Sequence, residues 1–305
     1  MKVGLLGCGN AIAHHLRALK SVPNVEVLWF CDKHESQARK AKAKWGNRGV
    51  VGTDFEDLLN QARPDVVHVC TPPSTHAEFA CKALESGCHI LLEKPMTTSI
   101  EDARRVLAVR DSSGRALCMM HNHMFDPVII RIRNLVESGA LGELVYAEGR
   151  FFLELDKMAK EKMDRSDHWV YALKSGIAGE YTPHMIYLLQ SFLGPSTELQ
   201  LMHGCIGSPV QDRMGQETFA VQLRFEKGFG NMLMMSHMSY GHFSIHLYGT
   251  RAAAHVNIMD LTFRLEQMRK ALPREAAFME STIRQGVQNA SQTLGNGFRI
   301  LTGQL

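Results

Sequence analysis

The sequence predicts an α/β chain in two domains: a doubly wound parallel sheet over residues 1–122, and an α+β domain with a largely antiparallel open sheet over residues 123–305. Three observations carry that prediction. Short apolar runs alternate with helical stretches through the first 120 residues. Past Asn122 the grammar changes, and strands follow one another with few helices between them. A length of 305 residues is long for one hydrophobic core and comfortable for two.

The strands of the first half read KVGLLG, VEVLWFC, DVVHVC, CHILL and RALCMM. Each is apolar almost throughout, as parallel strands covered on both faces must be. Three helices are marked at their starts by capping boxes: Thr53 with Glu56, Thr75 with Glu78, and Thr98 with Glu101. Gly87 and Gly114 fall where helices end. In the second half, Asp126-Pro127 opens a helix that closes at Gly139. The strands there are GELVYAEGRFF, TELQLMHG, ETFAVQLRF, NMLMMSHM, SIHLYGT and AAAHVNI, with a hairpin turn from Glu226 to Gly230. Residues 154–174 are polar and irregular, in a position where loops often cover an active site. In the tail, Met279, Ile283, Val287, Ala290, Leu294, Phe298 and Leu301 recur in steps of three and four, which marks an amphipathic helix. Such a helix either packs on its own sheet or meets another subunit.

Composition removes several classes of function. The net charge is only +3, which gives no reason to expect nucleic acid or an anionic membrane as partner. No apolar run approaches the ~20 residues of a membrane helix. The N-terminus reads as a glycine-broken strand rather than a signal peptide. Seven cysteines, an odd number with no CxxC pair, read as reduced thiols in a cytoplasmic protein. No metal is expected. His242 and His246 are four apart, but FSIHLYGT alternates like a strand, and His121-x-His123 has no third ligand at metal spacing.

Chemistry begins at the first turn. Gly7-Cys8-Gly9 follows the first strand directly and opens a helix. The first glycine permits the turn, and the second lets the backbone approach a pyrophosphate. The helix N-terminus then presents N–H groups to that anion. The third glycine position of the fingerprint is filled by Ile12, beside Ala11 and Ala13. Asp32 ends the second strand 23 residues beyond Gly9, near the ~20 expected for an acid that binds a ribose 2′-hydroxyl. A carboxylate there favours NAD, while Lys33 next to it keeps NADP open. Far downstream, Glu180 and His184 are four apart and share one face of a helix expected to begin near Gly179. With Lys94, which ends the apolar run HILLEKP, they form a lysine, a carboxylate and an imidazole, a set suited to moving a proton on or off an alcohol oxygen.

These residues make the chain recognisable. It resembles the Gfo/Idh/MocA family of nicotinamide-dependent oxidoreductases over nearly its whole length, and the family's first domain is a Rossmann fold. GCGNAIAHHL is similar to the family's GCGxIGxxH opening, with His15 at the histidine position. DVVHVCTPPSTH resembles its D-V-V-x-I-x-T-P-N-x-x-H segment, with Pro73 in place of asparagine. Glu93-Lys94-Pro95 matches its EKP outright. HNHMFDP resembles its N-x-R-F-x-P entry to the second domain, and HLYGTRAAAHV its late G-T-x-G-x-L strand pair. The family's D-x-G-x-H-x-x-D segment reads here from Glu180 to Tyr187. The histidine is kept, Glu180 stands for the first aspartate, and Tyr187 replaces the second.

The resemblance implies that Gly7, Gly9, Asn10, Ala11, Ile12, Asp32, Lys33, Thr71, Pro73, His76, Glu93 and Lys94 form the cofactor site. It also implies that Lys94 lies beside the reacting oxygen, that His184 takes the alcohol proton, and that Glu180 orients His184 or binds a substrate hydroxyl. Asn122, His168, Trp169, Tyr171 and Tyr187 are expected at the substrate. The implied activity is that of an NAD- or NADP-dependent dehydrogenase acting on a sugar, cyclitol or polyol. The expected assembly is a homo-oligomer formed through the second domain. Two other readings stay open: a glycosidase that uses NAD transiently, and a non-catalytic dinucleotide sensor.

Overall fold

The computed structural model describes residues 1–154, 176–205 and 217–267, together with Met279, Thr282, Ile283, Gly286, Val287, Ala290 and Ser291 in the tail. His168, Trp169 and Tyr171 therefore lie outside the described residues. The chain divides into two compact units, Met1–Met120 and His121–Leu305.

In the first unit, six strands form one parallel sheet: β1 (Lys2–Leu6), β2 (Glu26–Cys31), β3 (Val50–Gly52), β4 (Val66–Val69), β5 (His89–Leu92) and β6 (Leu117–Met119). Their order is β3-β2-β1-β4-β5-β6. The chain winds one way from β1 and returns the other way from β4, so the winding reverses between β1 and β4. In such sheets ligands bind at the carboxyl ends of the strands beside that point. The crossovers are α1 (Ile12–Lys20), α2 (Glu35–Trp45), α3 (Phe55–Gln61), α4 (His76–Glu85) and α5 (Ile100–Ser113). Apolar strand residues alternate between two cores. Val3, Leu5 and Phe30 pack with Ile12, Leu16 and Leu19 of α1, while Leu6, Trp29, Val67, Val69 and Ile90 pack with Leu84 of α4. The short strand β3 was not among the expected ones, because three residues are too few to show a period.

The capping boxes need correction. Helix α3 is capped by Asp54, which accepts from the Asp57 N–H at 3.0 Å. Helix α5 is capped by Ser99, which accepts from the Asp102 N–H at 3.1 Å. Each cap falls one residue past the expected threonine, on a residue type that caps slightly better. Thr75 precedes α4 but makes no side-chain cap; its hydroxyl turns back toward the Pro72 carbonyl at 2.8 Å.

The second unit holds α6 (Pro127–Glu137), β7 (Leu144–Glu154), α7 (Gly176–Leu193) and β8 (Ser196–Cys205), then β9 (Glu217–Phe225), β10 (Gly228–Met235), β11 (His237–Gly249), β12 (Ala252–Asn257) and β13 (Thr262–Gln267). Its seven strands run in the order β13-β12-β11-β7-β10-β9-β8. All pairs are antiparallel except β7 with β10. Strand β13 was also not foreseen, since its apolar half is short and its other positions are charged or polar. One face of the sheet is covered by helix. Met185, Leu188, Leu189, Phe192 and Leu193 of α7 are buried with Ala147, Phe151, Met232, Met234, Phe243 and Ile245 of the strands. Pro183 lies inside α7 and offers no N–H to the carbonyl four residues earlier.

Among the described residues no helix is long and apolar enough to cross a membrane. No group of three or more His, Cys, Asp or Glu among them is arranged to hold a metal ion. His242 and His246 lie on β11, with Ser244 bridging them at 2.8 and 2.9 Å.

Candidate active site

The first part of the site is a turn. Gly7 has φ +86°, and a β carbon there would lie 2.6 Å from the backbone of Cys70. Only glycine lets the end of β1 come this close to the end of β4. Gly9 is different. A β carbon at Gly9 would meet no protein atom within 4 Å, and its φ lies outside the left-handed range. Neither packing nor backbone conformation asks for glycine at that position. Helix α1 starts beside it with Ala11 at the cap, no side-chain capping bond and no acidic residue in its first turn. Its first N–H groups are thus left for an anion. Asn10 is exposed at this turn. Ile12 sends its side chain into the core, so only its main chain faces outward.

Asp32 is built into the same turn. One carboxylate oxygen accepts from the Cys8 N–H at 2.7 Å and the other from the His34 N–H at 2.8 Å. A carboxylate has about four lone-pair sites, so these two bonds fix its position and leave acceptor capacity for hydroxyl groups. Lys33 beside it is exposed. The glycines, the uncapped helix start and the anchored acid fit a dinucleotide: Gly7–Ile12 would face its pyrophosphate and Asp32 its ribose.

Along the same edge, past β4, lies the segment from Thr71 to His76. Pro73 is buried at the start of a short 3-10 turn. His76 is 0% exposed, with Nδ1 2.9 Å from the Pro95 carbonyl and Nε2 2.8 Å from the Thr71 carbonyl. Carbonyl oxygens only accept. The ring therefore donates to both as an imidazolium, or to one at a time as a neutral ring. Burial holds its pKa below the ordinary value, against the opposing pull of the hydrogen bonds to Thr71 and Pro95. Through these contacts the ring ties the Thr71 segment to the Lys94–Pro95 segment.

Glu93 and Lys94 follow β5. One Glu93 oxygen lies 3.0 Å from His15 Nε2, and the other accepts from the Lys94 N–H at 3.2 Å. Burial works against the charge of Glu93, but its hydrogen bond with His15 and the nearby Lys94 outweigh this and hold its pKa below the ordinary value. On its other side, His15 Nδ1 lies 3.0 Å from His68 Nδ1. Both rings are buried. Burial, and then the proximity of His15, push His68 down to about 3, so it is neutral near pH 7. The partnership of His15 and His68 was missed in the sequence. Its signal was a single polar residue in the otherwise apolar strand DVVHVC.

In the second unit, α7 carries His184. His184 is 7% exposed and lies in line with Leu188 and Phe192, so it sits on the buried stripe of the helix. Its Nδ1 lies 2.9 Å from the Tyr187 hydroxyl. That hydroxyl also accepts from the His123 N–H at 3.2 Å. The Tyr187 ring stacks on His121 with centroids 4.1 Å apart and planes 16° apart. The His123 ring stands edge-on to His184 at 4.8 Å, and its Nδ1 is held by Asp126 at 2.7 Å. Glu180 is half-buried one turn before His184, and its charge, after burial, raises the pKa of the neighbouring Tyr181. Asn122 is exposed. His121 and His123 had been weighed only as metal ligands. Their packing against α7 depends on a contact 64 residues along the chain, which no local pattern reveals.

Comparison with known proteins finds a family model for each part of the chain. Residues 1–121 match a family model described as an oxidoreductase family with an NAD-binding Rossmann fold, and residues 129–255 match that of the GFO/IDH/MocA C-terminal domain. An uncharacterized oxidoreductase of Escherichia coli, YdgJ, is 31% identical over 189 residues, 61% of this chain and 51% of its own. D-glucoside 3-dehydrogenase of the same organism is 32% identical over 151 residues, 49% of this chain and 43% of its own. The chain thus spans about half the length of the curated relatives it matches. Among solved structures, the WlbA dehydrogenase of Bordetella pertussis, in complex with NADH and UDP-GlcNAcA, superimposes with a TM-score of 0.75. That match covers 100% of this chain and 88% of the other at 20% identity, a likeness of fold. With a family model matching each half, the chain belongs to the Gfo/Idh/MocA family of oxidoreductases.

Proposed function

We propose that the chain is an NAD-dependent dehydrogenase acting on a CH–OH or C=O group of a sugar, cyclitol or related polyol, with bound nicotinamide supplying the hydride acceptor or donor. One observation carries this reading. The glycine turn, Asp32, the Thr71 segment and Glu93-Lys94 follow the carboxyl ends of four adjacent strands, β1, β2, β4 and β5. The dinucleotide-binding features and the reactive lysine therefore share one edge of one sheet.

Lys94 stabilises the alkoxide, or polarises the carbonyl, at the reacting oxygen. His184 takes the alcohol proton in oxidation and returns it in reduction. Glu180 orients His184 or binds a substrate hydroxyl. Asp32 accepts from ribose hydroxyls and repels a 2′-phosphate, which favours NAD over NADP. The named activities of relatives support the substrate class: D-glucoside 3-dehydrogenase and inositol 2-dehydrogenase. Self-association through the second unit is also inferred. Exposed apolar residues there, Leu199, Leu201 and Met202 on β8 and Met279, Ile283 and Val287 in the tail, support it. The free cysteines among the described residues, exposed Cys118 included, support a cytoplasmic location.

A screen of sugars, cyclitols and sugar acids for NAD reduction, read by the absorbance of NADH, tests the reading. Sugar ketones are run in reverse. Turnover of at least one substrate is expected, with tighter fluorescence-detected binding of NADH than of NADPH. Binding without turnover across the panel would favour the sensor reading, and tighter NADPH binding would transfer the ribose contact to Lys33.

A further inference from the structure

We propose that the amino-terminal edge of the first unit's sheet carries an anion site, built by Arg63, His89 and Arg115 with Lys2, that takes the phosphate group of a small phosphate ester. The site stands apart from the dinucleotide edge and does not depend on the dehydrogenase reading.

Four neighbouring strands begin side by side here. Lys2 starts β1, Arg63 to Asp65 lead into β4, Gly87 to His89 into β5, and Arg115 into β6. Their side chains line a recess of about 440 Å³. That is the size of a small-molecule pocket. The dinucleotide features follow the opposite, carboxyl ends of the strands. Along β5 alone, four steps of ~3.3 Å put about 13 Å between His89 and Glu93.

Two guanidinium groups converge in the recess. Gly87 has φ +84°, and a β carbon there would lie 3.7 Å from Arg115 Nη2 and 3.8 Å from Arg63 Nη1. The two groups flank one point, and glycine leaves that point without a side chain. Arg63 donates to the Ser86 carbonyl at 3.3 Å, which holds it over the turn. A guanidinium has five N–H donors, so both arginines keep donors for a ligand. His89 adds a donor whose direction is settled. Its Nδ1 accepts from the Ala116 N–H at 3.0 Å, so the ring carries its hydrogen on Nε2.

Charge points the same way. Elsewhere on this unit Arg39, Lys82, Arg105 and Arg110 each meet a carboxylate. Among the described residues, Arg63, Arg115 and the Lys2 ammonium meet none. The carboxylate in the recess, Asp65, accepts from the Lys2 main-chain N–H at 2.7 Å. Burial raises the pKa of the neighbouring Cys88 thiol, and Arg63 and Arg115 each oppose that rise more than Asp65 adds to it. Three cations lining one recess from separate elements suit a dianion with acceptor oxygens on several sides, which describes a phosphate group. The second Asp65 oxygen can accept from a hydroxyl. The ester is therefore one that carries hydroxyl groups, as sugar phosphates and nucleotides do.

The test titrates the full chain with inorganic phosphate while NMR follows the amide resonances of Gly87, Cys88 and Ala116. Saturable shifts at these positions are expected, weakening as salt rises. Glucose 6-phosphate and AMP are titrated in the same way. At least one should bind as tightly as inorganic phosphate or more so, and the tighter of the two identifies the source as sugar phosphate or nucleotide. Arg63 and Arg115 are exposed, so both tolerate substitution. Arg63→Gln and Arg115→Gln should each weaken phosphate binding roughly tenfold, the loss of one charge-assisted hydrogen bond. Arg39→Gln removes the same charge from the same unit outside the recess and should leave binding unchanged. Equal weakening by Arg39→Gln, or binding that survives both recess variants, would overturn the proposal. So would the absence of saturable shifts, shifts confined to Gly7 and Gly9 at the dinucleotide edge, or exclusion of both esters.

Discussion

In the first unit, polar side chains at the sheet edge are held chiefly by main chain. Asp32 is fixed by the N–H groups of Cys8 and His34, His76 by the carbonyls of Thr71 and Pro95, and Glu93 by the N–H of Lys94 together with the His15 ring. In the second unit, His184 is held by another side chain, the Tyr187 hydroxyl, and Tyr187 in turn leans on His121. The two arrangements differ in what they allow. A main-chain partner cannot be exchanged by substitution, so the turn, the acid and the lysine keep their relation as long as the fold does. A side-chain partner can be exchanged, and here that partner is a phenol. The sheet edge of the first unit is thereby fixed, and the cluster around His184 is open to tuning.

The largest expected effect tests whether the two units really divide the work. Lys94→Ala should lower turnover roughly 10²–10⁴-fold, the range for losing a positioned electrostatic or acid–base group. NADH binding should survive, because the turn and Asp32 are untouched. His184→Ala should fall in the same range. Measured kcat values for the two variants, beside NADH titrations, decide this. Full activity in either single variant would remove that residue from the chemistry.

The same contrast explains what could be read from the sequence. The glycine turn, Asp32 and the Glu93-Lys94 pair were legible because each is a short pattern at a strand end, and the backbone that holds it lies within a few residues or on an adjacent strand. His184 was legible by its spacing from Glu180. Tyr187 was expected at the substrate from its position alone; the contacts of its hydroxyl with His184 and His123 left no mark in the sequence. Partnerships such as His15 with His68, 53 residues apart, appear only when the fold brings two apolar elements together. The burial of His76 was not legible, because a histidine facing two carbonyls and one facing a cofactor leave the same mark in the sequence.

Acid should weaken the protein through His68. Its pKa falls from the ordinary 6.5 to about 3 in the folded protein. The unfolded chain therefore binds the proton more readily between those values. The sign follows: stability from this group is complete above about pH 6.5 and is lost as the pH falls toward about 3. The slope should approach ~1.4 kcal/mol per pH unit across that window. His68→Leu costs something at pH 7 by taking a partner from His15, but its melting temperature should depend less on pH than that of the wild type. Parallel curves for the two proteins would mean that His68 does not stay neutral in the core.

The smallest effects, and the sharpest for the comparison, come from the two glycines of one turn. Gly7 serves the fold, with φ +86° and a β carbon that would lie 2.6 Å from the Cys70 backbone. Gly7→Ala should therefore destabilise the chain by about 1–3 kcal/mol through backbone strain, with more from the clash. Gly9 has neither demand. Gly9→Ala should leave the denaturation midpoint within about 0.5 kcal/mol of wild type. Its methyl group would instead stand where the pyrophosphate must come close. Overpacking of that kind costs about 1–3 kcal/mol, which corresponds to roughly 5–150-fold weaker NADH binding. Denaturant melts and NADH fluorescence titrations on both variants separate the two roles. If Gly9→Ala binds NADH as the wild type does, the dinucleotide does not approach the chain at this turn, and the first unit's claim to the cofactor would have to rest on Asp32 alone.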